Sequence, residues 1–226
     1  MRARRASEPP DEPLLEFLEV MRRLRAECAW KAGQTHRSLS RYLLEETHET
    51  LEAIDDGDRT GDWSHLREEL GDLLLQVYFH AVIAEETGEF TLDDVARDIT
   101  AKMHRRNPHV FAPTPDSPVE PADIDEVWQQ IKATEKQRTS ITDGLPPGLP
   151  ALLYADKVLG RLAREPAVEP TPPVAEPVET APAHDPDPAE DLGDRLLALV
   201  AEAREAGLDP EQALRDAVRR LLAPRT

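Results

Sequence analysis

Cysteine is nearly absent. The single Cys28 excludes an internal disulfide framework and a cysteine-rich zinc centre, and it fits a reducing compartment. Aromatic residues are scarce, ten in 226, while prolines number 21 and are unevenly placed, a combination that argues against one compact unit spanning the chain. Positive charge is also in deficit. With 27 basic against 45 acidic side chains the formal charge is −18, and such a surface repels polynucleotide backbones and anionic lipid. No apolar run approaches the roughly 20 residues of a membrane span. The opening MRARRASEPPDEP is basic and then polar, without the apolar stretch of a secretory signal. The expectation is a soluble cytoplasmic protein with no membrane and no nucleic-acid polymer as partner.

What the chain has instead is helical periodicity. Residues 1–12 combine like charges with Pro9 and Pro10 and read as a disordered N-terminus. Phe17, Leu18, Met21 and Leu24 recur as on one face of a helix running to about Glu27, and CAWKAGQTHRSL follows as a loop. A long helix starts between Thr35 and Ser40, with Leu39, Leu43, Leu51 and Ile54 as its core face, and stops at DDGD, residues 55–58. Ser64 caps the next helix, which is apolar around most of its circumference from Leu70 to Ile83, marking it as the most buried element, and Gly88 ends it. Thr91 and Asp94 form a capping box for a third long helix that Asn107 and Pro108 close. DIDEVWQQIKATEKQR and ALLYADKVLGRLAR add two more. No strand pattern intervenes, so the fold class is all-α, a helical bundle. Residues 166–188 hold eight prolines among acidic and small residues, the composition of an extended linker. This divides the chain into residues 13–164, a linker over 165–188, and a helical pair over 189–226 around the turn Gly207-Leu208-Asp209-Pro210. In that last segment EDLGDRLLALV, residues 190–200, aligns without gaps on EELGDLLLQVY, residues 68–78, as an internal repeat whose first half is missing.

Two stretches are candidates for chemistry. LLEETHETLEAI carries Glu45, Glu46, Glu49 and Glu52, and REELGDLLLQV carries Glu68, Glu69 and Asp72. Positions three or four apart share a helical face, so Glu46 with Glu49, and Glu69 with Asp72, are matched i, i+3 pairs. On adjacent antiparallel helices they would converge, and four carboxylates at one point need a cation. Oxygen donors alone select a hard ion, Mg2+ or Mn2+. Acidic helix faces are commonly just solvated, but the second pair sits on the most apolar helix, where bare carboxylates are costly. Glu45-x-x-His48 has the spacing used by di-iron bundles, which require a second such pair that the partner helix lacks. Cations suited to phosphate occur in one turn, Lys102, Arg105 and Arg106, and Trp128 with Lys132 shares a face of a later helix, the indole offering a plane for a base.

EExxE, nineteen residues, then ExxD resembles the MazG family of nucleoside triphosphate pyrophosphohydrolases, within the all-α NTP pyrophosphatase group. The likeness extends through CAWKAGQTHRSLSRYLLEETHETLEAI, LREELGDLLLQVYFHAVIAEETGEFTLDDV, KMHRRNPHVF and VWQQIKATEK, over about residues 14–164. It implies a helical homodimer, Mg2+ held by Glu46, Glu49, Glu69 and Asp72, and hydrolysis of an NTP or dNTP to the monophosphate and pyrophosphate. Glu45 or Glu49 would assist water, and Lys102, Arg106, Trp128 and Lys132 stand where the family contacts phosphate and base. The family often reads Cys-Pro-Trp-Asp where this chain has Cys28, Ala29, Trp30 and Lys31, and often has an aromatic at His48, positions that bear on substrate preference. Two-domain members carry a second full copy, whereas this tail resembles its latter half only, so Asp191 and Asp194 would lack metal partners. Two other readings remain open: a helical dimer that binds nucleotides or a protein without turnover, and a pyrophosphatase dedicated to one nucleotide such as dUTP or phosphoribosyl-ATP.

Overall fold

The computed structural model describes residues 12–114, 120–135, 140–164 and 187–222. The N-terminal segment and nearly all of the proline-rich linker, singled out above, lie outside the described residues. Ten helices follow in order, with no strand among the described residues: α1 (Pro13–Glu27), α2 (Ala29–Ala32), α3 (His36–Thr60), α4 (Ser64–Thr87), α5 (Leu92–Arg106), α6 (Pro108–Phe111), α7 (Pro121–Thr134), α8 (Ala151–Leu162), α9 (Pro188–Glu205) and α10 (Pro210–Leu222). The fold is all-α. None of these helices is long and apolar enough to cross a membrane.

Helix starts are set by local chemistry. The Thr35 hydroxyl accepts the Ser38 N–H while Ser38 accepts the Thr35 N–H, and Thr91 and Asp94 make the same reciprocal box before α5, as their spacing predicts. Two starts and stops differ from the sequence reading. Ser64 is the first helical residue of α4 rather than its cap; the Asp62 carboxylate accepts the Ser64 N–H instead. The loop expected after α1 contains the single turn α2. α3 also continues through DDGD. Gly57 is buried inside it because the Trp63 ring lies where a side chain would go, and a Cβ there would overlap Cε3 of the indole. The stop is Gly61, left-handed at φ 76°, with its N–H on the Gly57 carbonyl. α4 ends as anticipated, at Gly88 with φ 72°.

The chain forms two compact units, one to Trp128 and one from Gln129, so the division falls within α7. In the first, α3 and α4 pack along their lengths. Contacts between His36 and His80, Glu49 and Glu69, and Gly57 and Trp63 run in opposite sense along the two helices, which makes the pair antiparallel. The core gathers at one end of this hairpin: Leu18 and Met21 of α1, Leu39 of α3, and Tyr78, Phe79, Val82 and Ile83 of α4. Tyr78 donates to the Leu14 carbonyl at 3.1 Å, and Arg22 and Arg25 pair with Glu85 and Glu86, tying α1 to the last turn of α4. α4 is indeed the most buried helix. The face of α3 differs from the expected one: Leu43 and Ile54 are exposed, and what α3 buries besides Leu39 is Thr50, Ala53 and Gly57.

In the second unit α8 packs on α9 and α10. Arg204 donates to the Asp156 carboxylate at 2.9 Å, and its guanidinium occupies the space over Gly160, where a Cβ would meet it at 2.7 Å. Compactness thus groups α8 with the C-terminal helices, although the proline-rich linker separates them in sequence. The physical reason is this ion pair together with the burial of Val200.

Candidate metal centre

Glu46 and Glu49 lie in the middle of α3, and Glu69 near the start of α4, on the half of the hairpin that extends away from the core. Each of the three offers one carboxylate oxygen, and these oxygens lie within 4.8 Å of one another. Opposite ligands of a bound Mg2+ are separated by about 4.2 Å, so small side-chain adjustments suffice to close three ligands on one ion. The i, i+3 step brings Glu46 and Glu49 to one face of α3, and the packing of α3 on α4 brings Glu69 beside them. Asp72 lies outside the triad but near it, since its charge acts on Glu46. Glu69 is only 8% exposed.

The electrostatics identify Glu46 as the carboxyl under pressure. Its pKa is raised, first by burial, then by the charges of Asp72, Glu49 and Glu69. Among the described residues no Lys or Arg forms an ion pair with Glu46, Glu49 or Glu69, and the three together offer oxygen donors of the kind a hard cation takes. The residues present therefore fit the ion that the sequence pattern implies.

Other predicted site residues fall elsewhere. Glu45 is exposed, one residue before the triad, and His48 is exposed as well. Lys102, Arg105 and Arg106 lie in the last two turns of α5, with Lys102 and Arg106 half-buried and Arg105 exposed. The Arg106 guanidinium carbon stands 5.1 Å from the centroid of Trp128, a cation–π contact between two residues assigned to the substrate. Lys132 lies one turn beyond Trp128 on α7, in the second compact unit. Lys31, one of the departures from the family pattern, places its ammonium 5.4 Å from the centroids of both Trp30 and Phe79. Arg25 holds the segment that bears it by donating to the carbonyls of Lys31, Ala32 and Gln34.

Two residues escaped the sequence reading. His65 Nε2 lies 3.0 Å from Glu69 Oε1, a contact whose i, i+4 spacing was visible in the sequence. Gln76 is buried on α4 one turn after Asp72, with its side-chain oxygen unpaired. Only the packing of α4 reveals it.

Comparison with known proteins agrees with this arrangement. Residues 34–111, the span from the α3 cap to α6, match the family model described as the MazG nucleotide pyrophosphohydrolase domain. A nucleoside triphosphate pyrophosphohydrolase/pyrophosphatase MazG of Thermotoga maritima is 38% identical over 218 residues, covering 92% of this chain and 82% of that protein. An uncharacterized 26.1 kDa protein of Streptomyces cacaoi is 42% identical over 211 residues, covering 92% of this chain and 79% of the other. The nucleoside triphosphate pyrophosphohydrolase of Escherichia coli K12 is 37% identical over 220 residues, covering 89% and 81%. With likeness of this extent falling on the two acid-bearing helices, the chain belongs to the MazG nucleotide pyrophosphohydrolase family.

Proposed function

We propose that the protein hydrolyses nucleoside or deoxynucleoside triphosphates to the monophosphate and pyrophosphate with Mg2+, or Mn2+, as its cofactor. The observation that carries this reading is the convergence of Glu46, Glu49 and buried Glu69 from two helices. Like charges held at that distance cost free energy in the unliganded chain, as the raised pKa of Glu46 reflects. A cation between these carboxylates would relieve that cost, which supports the reading of the triad as a metal site. Asp72 completes the proposed ligand set.

Bound there, the ion would polarise phosphate oxygens and lower the pKa of a water. The chain's own residues do the rest. Glu49, or the exposed Glu45 beside the triad, takes the proton from the attacking water. Lys102, Arg105 and Arg106 neutralise the polyphosphate, whose charge would otherwise be repelled by the acidic chain. Trp128 offers its ring to the base. We also propose that the active form is a homodimer, since Leu44, Leu70 and Val77 on the two acid-bearing helices are 61%, 51% and 43% exposed.

The test is a panel of NTPs and dNTPs assayed for pyrophosphate release with and without Mg2+. Release that needs the metal and disappears in a folded Asp72→Ala or Glu49→Ala protein is expected. Full turnover by Asp72→Ala would refute the assignment, and turnover of one nucleotide alone would make this a dedicated enzyme.

A further inference from the structure

We propose that Trp30 is a specificity-determining residue of the site, its indole forming a wall for the nucleobase of a nucleotide whose phosphates the acidic triad would hold through a cation. The inference rests on the function proposed above and deepens it. Trp30 is the one large side chain of α2, and it is 53% exposed, so much of its surface is open to a ligand. Its ring meets that of Tyr42 edge to face, with centroids 6.2 Å apart. Tyr42, half-buried against the core, stands one turn before Glu46 on the same face of α3, and side chains four apart lie about 5–6 Å from each other at Cβ. The indole is therefore on the order of 10 Å from the triad, a span that a ribose bridges.

Charge makes this surface complementary to a nucleotide. In a chain of formal charge −18, residues 28–44 contain Lys31, Arg37 and Arg41 and no acidic side chain. Among the described residues none of these three cations forms a salt bridge. Arg41 lies over the Tyr42 ring at 4.7 Å, and Lys31 lies 5.4 Å from the centroids of Trp30 and Phe79. Aromatic rings and unneutralised cations next to a metal site suit a ligand that is flat at one end and polyanionic at the other. The wall is also held in place. Arg25, its side chain 8% exposed, donates to the carbonyls of Lys31, Ala32 and Gln34, and Gln34 donates to the Trp30 carbonyl at 3.1 Å. Stacking on a ring fixed in this way orders little that was free. A tryptophan that only covered the core would bury its ring, as Phe79 does at 2% exposure. A base has two faces, so a wall at Trp30 is compatible with the role given to Trp128.

The experiment measures steady-state pyrophosphate release from the preferred nucleotide in Mg2+, and Mn2+ binding without nucleotide, on the full-length protein and its Trp30→Phe, Trp30→Leu and Trp30→Ala variants. Trp30→Leu and Trp30→Ala should raise KM about tenfold with kcat within about twofold, because stacking on the base is lost while the reacting groups stay. Trp30→Phe, which keeps a ring, should recover most of the affinity. Mn2+ binding should be the same in every variant. Circular dichroism checks helicity, and Trp30→Leu, which keeps an apolar contact with Tyr42, serves if Trp30→Ala unfolds. An unchanged KM in the Leu and Ala variants overturns this inference alone. Equal rises in Phe, Leu and Ala show that no ring is needed and also overturn it, as does a joint loss of kcat and Mn2+ binding, the mark of a structural role. No Mg2+-dependent release by the wild type from any nucleotide overturns the proposed function and this inference with it.

Discussion

Glu46 is where the conflict between stability and chemistry is concentrated. Burial and three neighbouring acids push its pKa up, so at neutral pH its charge opposes folding of the metal-free chain. Replacing it by the neutral isostere should therefore do two opposite things. Glu46→Gln is expected to stabilise the metal-free protein by about 0.5 kcal/mol, the size of a like-charge helical pair, while pyrophosphate release falls to background. Urea denaturation in chelator, set beside the activity assay, checks both, and a destabilised Gln variant would contradict the electrostatic account. A second residue-scale device lies at the other end of the hairpin. His36 and His80 stack with centroids 5.0 Å apart and are joined by a hydrogen bond between Nδ1 atoms 2.7 Å apart, while His80 Nε2 is buried without a partner. Burial, and then the charge of His36, lowers the His80 pKa below its usual 6.5. Below that usual value the unfolded chain binds a proton that the native chain refuses, so stability is full above about 6.5 and falls as the pH drops toward the lowered native value. Thermal unfolding as a function of pH should show this slope, and His80→Phe should flatten it. At this scale the sequence pairs Glu46 with Glu49 because i, i+3 spacing is a property of one helix, and the structure brings Glu69 to them. The sequence was silent on the histidine pair, whose members are 44 positions apart and meet only when α3 and α4 pack.

At the scale of elements, the caps were legible because they are local. Thr35, Thr91, Gly88 and Asp209 act where their side chains or missing side chains predict. Gly57 misled for a tertiary reason. A glycine in an acidic cluster reads as a stop, yet here the absent side chain accommodates Trp63 and the helix runs on to Gly61. Gly61 has a left-handed φ of 76° and open space where a Cβ would project, so its substitution isolates the backbone term. Gly61→Ala should cost about 1 kcal/mol, measured by urea denaturation. A neutral result would mean that the turn has an alternative conformation. The core face of α3 was also misplaced. Leu43 and Ile54 have the periodicity of a core, but they are exposed, and Thr50, Ala53 and Gly57 are what α3 buries beyond Leu39.

At the scale of the whole molecule, the linker drew attention to a boundary near residue 165, whereas compactness divides the chain at Trp128 and joins α8 to α9 and α10. We propose that residues 13–164 nonetheless contain the catalytic groups, and that the C-terminal pair is a degenerate half-repeat with a packing role. A chain ending at Arg164 should keep Mg2+-dependent hydrolysis but melt at lower temperature, because Arg204 no longer pairs with Asp156 and the face of α8 around Gly160 is uncovered. Loss of activity with helicity retained would place a functional group in the tail. Sequence by itself determined the all-α class, the order of the main helices and the acids eligible for a metal, because periodicity, caps and charge spacing are written within single helices. Tertiary structure alone decided which of seven eligible acids meet and where the compact units divide. Those outcomes depend on the register between helices, which no spacing along one chain segment encodes.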